Sequence, residues 1–178
     1  VKPGGYPLLV AVGPKGGPYN AQKVGQLDVS FPKILSSKGL MLEYNGVPQL
    51  QLVHAQSTLE NSELRIDWTW RAEHNLTADY TFFVHIVPEG GEKPAAQVDG
   101  QPLEGSYPTH LWQQDEAVPM TIRLAGIPTL PGKYNVFAGW YLPSSGQRLK
   151  TRDGSDQLLL AQIVVSSMGS DIIPQVSD

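Results

Sequence analysis

The segment Leu64–Trp70 constrains the fold more than any other part of this chain. Leu64, Ile66, Trp68 and Trp70 alternate with Arg65, Asp67 and Thr69. A period of two sends the apolar set to one face and the polar set to the other, the pattern of an antiparallel strand covered on one side. Two further runs, Tyr80–Val87 and Lys133–Tyr141, are apolar on both faces. They read as central strands covered on both sides. Leu158–Val165 is another apolar run with β-branched residues, which favour strands. Shorter candidates are Leu8–Val12, Gly25–Phe31, Leu40–Tyr44, Leu50–Ala55, Ala95–Val98 and Met120–Leu124.

Turn chemistry separates these runs. Pro88-Glu89-Gly90-Gly91, Leu130-Pro131-Gly132-Lys133, Pro143-Ser144-Ser145-Gly146 and Asp153-Gly154-Ser155-Asp156 combine a preset φ with positions that accept a positive φ. The 178 residues include 18 glycines and 15 prolines, which leaves little room for long helices. Thr109–Ala117 is the one helical candidate, about a single turn. Strands recurring every 8–12 residues or so between such turns predict an all-β sandwich or barrel.

An internal repeat refines the boundaries. Pro3-Gly4-Gly5-Tyr6-Pro7-Leu8-Leu9-Val10-Ala11 is similar to Pro131-Gly132-Lys133-Tyr134-Asn135-Val136-Phe137-Ala138-Gly139. Val24-Gly25-Gln26-Leu27-Asp28-Val29 is similar to Leu160-Ala161-Gln162-Ile163-Val164-Val165, with a shorter connection in the first copy. Each copy fits a turn, a strand, a loop and a closing strand. One reading is two similar hairpins. The sharper reading makes residues 1–31 the closing hairpin of a preceding, similar unit, with the sandwich at 40–167 and a polar tail at 168–178. The start at Val1, without a signal peptide, predicts a fragment or a mature form.

Charge and composition remove several function classes. A net charge of -4 gives no basic field for nucleic acid or anionic lipid. The absence of cysteine removes thiol catalysis, disulfides and cysteine metal sites. No apolar run is long enough to span a membrane as a helix. The histidines, His54, His74, His85 and His110, match no metal-binding spacing. His85, in the most apolar strand, reads as a structural histidine bonded to backbone or carboxylate, and His110 as a solvated loop residue.

Asp99, Glu104, Asp115 and Glu116 gather in the loop-rich middle. A glycosidase needs two carboxyl groups held across a cleft, and loop oxygens suit calcium. No other metal or cofactor is expected. Trp68 and Trp70 belong to the core face, and Trp140 and Tyr141 point to opposite faces. Tyr107 and Trp112 lie in the polar segment Gly105–Glu116. They read either as a lid over the core edge or, with Tyr141, as a platform for a sugar ring beside polar groups.

The segment Asp79–Tyr141 carries an ordered series: Phe83-Val84-His85, Ala96-Gln97-Val98-Asp99, Pro102, Tyr107-Pro108-Thr109, Trp112, Glu116, Pro131-Gly132-Lys133-Tyr134 and Gly139-Trp140-Tyr141. This series resembles the extracytoplasmic β-sandwich domain near the C-terminus of bacterial membrane proteins of the glycosyltransferase family 39 (dolichyl-phosphate-mannose-protein mannosyltransferase-like) group. Pro119-Met120 stands where that family often has an acidic residue. The resemblance implies an all-β, Ig-like antiparallel sandwich of about seven to nine strands, a non-catalytic accessory domain on the outer side of a bacterial membrane, its parent chain membrane-anchored, its partner a glycan or an envelope protein. The transferase part is not in these residues. A carbohydrate-binding module is the alternative, and a glycoside hydrolase the remaining one. The expected ligand-binding residues are Tyr107, Trp112 and Tyr141. His85, Gln97, Asp99 and Glu116 are expected to form a polar network, with the first three pinning the Tyr107–Trp112 loop.

Overall fold

A computed structural model describes residues 5–12, 20–30, 40–60 and 63–167. Its strands are β1 (Gly5–Val12), β2 (Asn20–Ser30), β3 (Leu40–Tyr44), β4 (Val47–Glu60), β5 (Glu63–Ala72), β6 (Thr81–Pro88), β7 (Ala96–Gly100), β8 (Ala117–Leu124), β9 (Gly132–Leu142), β10 (Gln147–Arg148) and β11 (Leu158–Ser167). All pairings are antiparallel and fall into two sheets. One runs β1-β2-β11-β9-β6-β7, with β10 on the end of β9; the other runs β3-β4-β5-β8. The chain is therefore an all-β sandwich, and the period of two in its sequence has its expected cause. The tail, 168–178, lies outside the described residues, as do Pro3 and Gly4 of the repeat.

The sheets meet through aromatic side chains. On β5, Leu64, Ile66, Trp68, Trp70 and Ala72 are buried, while the residues between them are half-buried. Trp68 meets Phe82 of β6 edge-on at 5.6 Å and stacks on Trp140 of β9 at 6.5 Å. Trp70 meets Trp140 edge-on at 5.6 Å. Edge-on and offset contacts set the positive ring edge against the negative face, so these rings add specific geometry to the area they bury.

Turns position the strands. Asn45 and Gly46 both have positive φ, 52° and 76°, the two-residue hairpin geometry that follows the twist of β3 and β4. The helical candidate reduces to one 3-10 turn, Thr109–Leu111. Central strand β6 is covered on both sides, as its sequence predicts, but by different means. Phe82, Val84 and Ile86 enter the core. Thr81, Phe83 and Val87 are buried on the opposite face, Phe83 among His85, Tyr141 and Arg148 of its own sheet.

Candidate functional site

Antiparallel register assembles a polar patch on the outer face of the seven-stranded sheet. Asp99 of β7 lies opposite Phe83, which lies opposite Gly139 of β9. In the next row Thr81 lies opposite Tyr141, and Tyr141 opposite Arg148 of β10. Directly opposed residues share a face, so Thr81, Phe83, His85, Asp99, Tyr141 and Arg148 form one surface. His85 Nε2 lies 3.6 Å from Asp99 Oδ1. The Arg148 guanidinium sits 4.2 Å above the Phe83 ring and 3.6 Å from the Asp156 carboxylate.

Phe83 occupies this face at 1% exposure because Gly139 leaves its ring a place to lie. The ring in turn desolvates its neighbours. Burial holds the His85 imidazole below its ordinary pKa; the Asp99 charge opposes that shift and Arg148 adds to it. Burial and then the Asp99 carboxylate push the Tyr141 hydroxyl up. The patch thus presents a histidine that favours its neutral form, a protonated phenol, a carboxylate and a guanidinium. These groups can exchange hydrogen bonds with a polar ligand.

Gln97 belongs to the same face, opposite His85 and exposed. Glu116 does not join the network. Its carboxylate accepts from Tyr107 Oη at 2.9 Å and from the Gln113 amide at 2.8 Å. That carboxylate pushes the Tyr107 hydroxyl up. The Tyr107–Trp112 loop is also not pinned by His85, Gln97 and Asp99. Thr109, fully buried, pins it: Oγ1 donates to Ala78 O at 2.7 Å and accepts from Tyr80 N at 2.8 Å. Asp79 accepts from His110 Nδ1 at 2.6 Å, and Asn75 Oδ1 from Gln114 N at 2.8 Å. A short polar side chain that bonds two backbone groups from inside the core fixes a loop more directly than a surface pair does.

Trp112 is 0% exposed and offers no platform to a sugar ring. It meets Trp140 edge-on at 6.0 Å, and its indole N–H donates to Tyr107 O at 3.1 Å. It is the lid over the core edge. Tyr107 is half-buried against the same core. Of the three aromatic candidates, Tyr141 alone joins the polar patch.

A cleft of about 1320 Å³ opens beside the patch, lined by Asp99, Gly100, Leu103, Glu104, Met120 and Thr121 among others. Leu103 and Glu104 hold positive φ, 48° and 57°. Left-handed backbone at non-glycine residues costs about 1–2 kcal/mol each, and such strain concentrates at functional sites. Sequence reasoning found Glu104 only as a loop carboxylate, because nothing in Leu-Glu signals a left-handed turn. It also missed Phe83 and Arg148, although the outward row of β6 pairs an aromatic with His85 and was readable.

Asp67, Asp99 and Glu104 all line this cleft. Burial pushes Asp67 up, but hydrogen bonds from Thr121 and Arg65 outweigh it and leave it lowered. Asp79 is lowered by its bonds to His110 against burial, and Asp153 by the Thr151 hydroxyl. Each displaced carboxyl moves away from the raised pKa of a general acid. Among the described residues no group of three His, Asp or Glu is placed to hold a metal ion, and no helix is long and apolar enough to cross a membrane.

No protein-family model and no curated protein matches the chain.

Proposed function

We propose that this chain is a non-catalytic accessory β-sandwich of a bacterial cell-envelope protein, on the outer face of the membrane, with a structural role. The observation that carries the reading is the sheet that does not stop at β11. Strand β2 adds to it in register from Gly25↔Ser167 to Ser30↔Gln162, with β1 beyond. A strand edge that would otherwise be open is thereby used for assembly. The aromatic residues favour the same role, since all four tryptophans serve the core. The envelope setting rests on the resemblance of Asp79–Tyr141.

One observation favours a second reading, a carbohydrate-binding module. Tyr141, Asp99 and Arg148 share a face beside the cleft. The test is an NMR titration of the chain with a panel of envelope oligosaccharides, with and without calcium. The structural reading expects no saturable shift. A saturable shift lost in Tyr141→Ala, with the fold retained, would replace it with the binding reading.

A further inference from the structure

The repeat seen in the sequence recurs in the strand pairing. In β1–β2, Tyr6 pairs with Leu27, Pro7 with Gln26 and Leu8 with Gly25; the register then skips Val24, and Leu9 pairs with Lys23. In β9–β11, Tyr134 pairs with Ile163, Asn135 with Gln162 and Val136 with Ala161; the register then skips Leu160, and Phe137 pairs with Leu159. Every pair in the first set is the sequence counterpart of a pair in the second. The bulge falls at counterpart residues, Val24 and Leu160. Bulges re-aim a strand and are specific features of a fold, so two similar hairpins paired by chance would not share one.

The two hairpins also face each other symmetrically. Asp28 pairs with Val164, its own counterpart. On either side Leu27 pairs with Val165, and Val29 with Ile163. Exchanging β2 for β11 therefore leaves the pairing unchanged, which is the mark of an isologous contact with a local two-fold axis between Asp28 and Val164.

We propose that β1–β2 is the closing hairpin of a second sandwich built to the same plan, and that two such units join edge to edge through one continuous sheet about this axis. The inference rests on the sheet-extending reading above and names its partner: another unit of this kind. The far edge of β1 corresponds to the edge of β9 that holds β6, so the second unit supplies a β6-like strand there. β1 departs from β9 at Pro7, which takes one N–H from that ladder.

Engineered cysteines test this cleanly, because the chain has none of its own. Opposed residues on antiparallel strands lie about 4.5–5.5 Å apart at Cα, within disulfide range. Asp28→Cys with Val164→Cys, and Leu27→Cys with Val165→Cys, cover both kinds of ladder position. At least one pair should close within the monomer under mild oxidation, whereas Gln26→Cys with Val164→Cys should not. Failure of both in-register pairs overturns the proposal and the sheet-extending reading together.

The second arm separates the two. Asp28→Pro in the full chain, combined with Val164→Cys, frees the β11 edge. Self-complementarity then predicts a dimer by light scattering, with a disulfide joining position 164 of one copy to position 164 of the other, because that position sits on the axis. Ile163→Cys in the same background should cross-link poorly, since its symmetric partner is position 165. In-register cysteines that close while the freed chain stays monomeric would overturn the isologous proposal and leave sheet extension standing. Val29→Gly gives the same readout if the proline variant loses its near-ultraviolet tryptophan signal.

Discussion

The ring of Phe83 lies over Gly139 so closely that a Cβ on that glycine would stand 2.5 Å from Phe83 Cζ. A glycine is required here for space, since its φ is not in the left-handed region. His85, Tyr141 and Arg148 surround the ring and limit where it can move. Gly139→Ala should therefore destabilise the chain by about 1–3 kcal/mol, the usual cost of overpacking, read as a lower urea midpoint. Phe83→Leu in the same chain should recover part of that loss, because contacting residues couple. Strict additivity of the two substitutions would show that the ring is not the obstacle.

Thr109 supplies the second prediction. Its hydroxyl satisfies both Tyr80 N–H and Ala78 C=O from a fully buried position. Thr109→Val keeps the shape and strands both backbone groups. An unsatisfied buried polar group costs about 1–3 kcal/mol, so a loss of at least that size is expected. Thr109→Ser keeps the hydroxyl and should cost less. Urea denaturation gives the ranking, and limited proteolysis within Gly105–Glu116 should accelerate in the valine variant alone.

The tryptophans should separate by their indole N–H groups. Trp112 Nε1 donates to Tyr107 O, whereas Trp70 Nε1 is buried without a hydrogen-bond partner among aromatic rings. Both side chains are 0% exposed, so replacement by phenylalanine removes similar volume from each. Trp112→Phe also strands a carbonyl in the loop. It should cost about 1 kcal/mol more than Trp70→Phe, the net worth of one hydrogen bond. Equal losses in thermal unfolding would mean that the Tyr107 contact adds nothing to packing.

Much of this architecture was legible in the residues. The alternation at Leu64–Trp70 gave β5 and its buried face, and the opposite directions of Trp140 and Tyr141 followed from period two. Asn45-Gly46 was an unused hairpin signal. The site was less legible because register decides it. His85 and Asp99 stand near each other on one face only once β6 and β7 pair with Phe83 opposite Asp99. Two readings of Trp112 stayed open, a lid over the core edge and an exposed platform, because its neighbours in the chain are polar. Its burial depends on Thr109, whose two bonds reach residues about thirty positions earlier in the chain. A local window contains no trace of such a contact.

The final prediction concerns pH. Burial lowers the folded-state pKa of His85, with Arg148 adding to the shift and Asp99 opposing it. The unfolded chain takes up this proton near its ordinary pKa of about 6.5, and the folded chain only at lower pH. Between those values the unfolded state binds more protons, so stability rises with pH. The urea midpoint should fall as pH drops below about 6.5, and His85 should stop contributing once it is protonated in the fold. His85→Gln should flatten that part of the profile. Asp99→Asn removes the charge that favours the imidazolium, so the slope should extend to lower pH. Asp79 acts in a different window: its folded pKa lies below 3.8, so its contribution fades only in stronger acid. A slope near pH 6 that survives in His85→Gln would assign the effect to another group and remove the buried imidazole from the account.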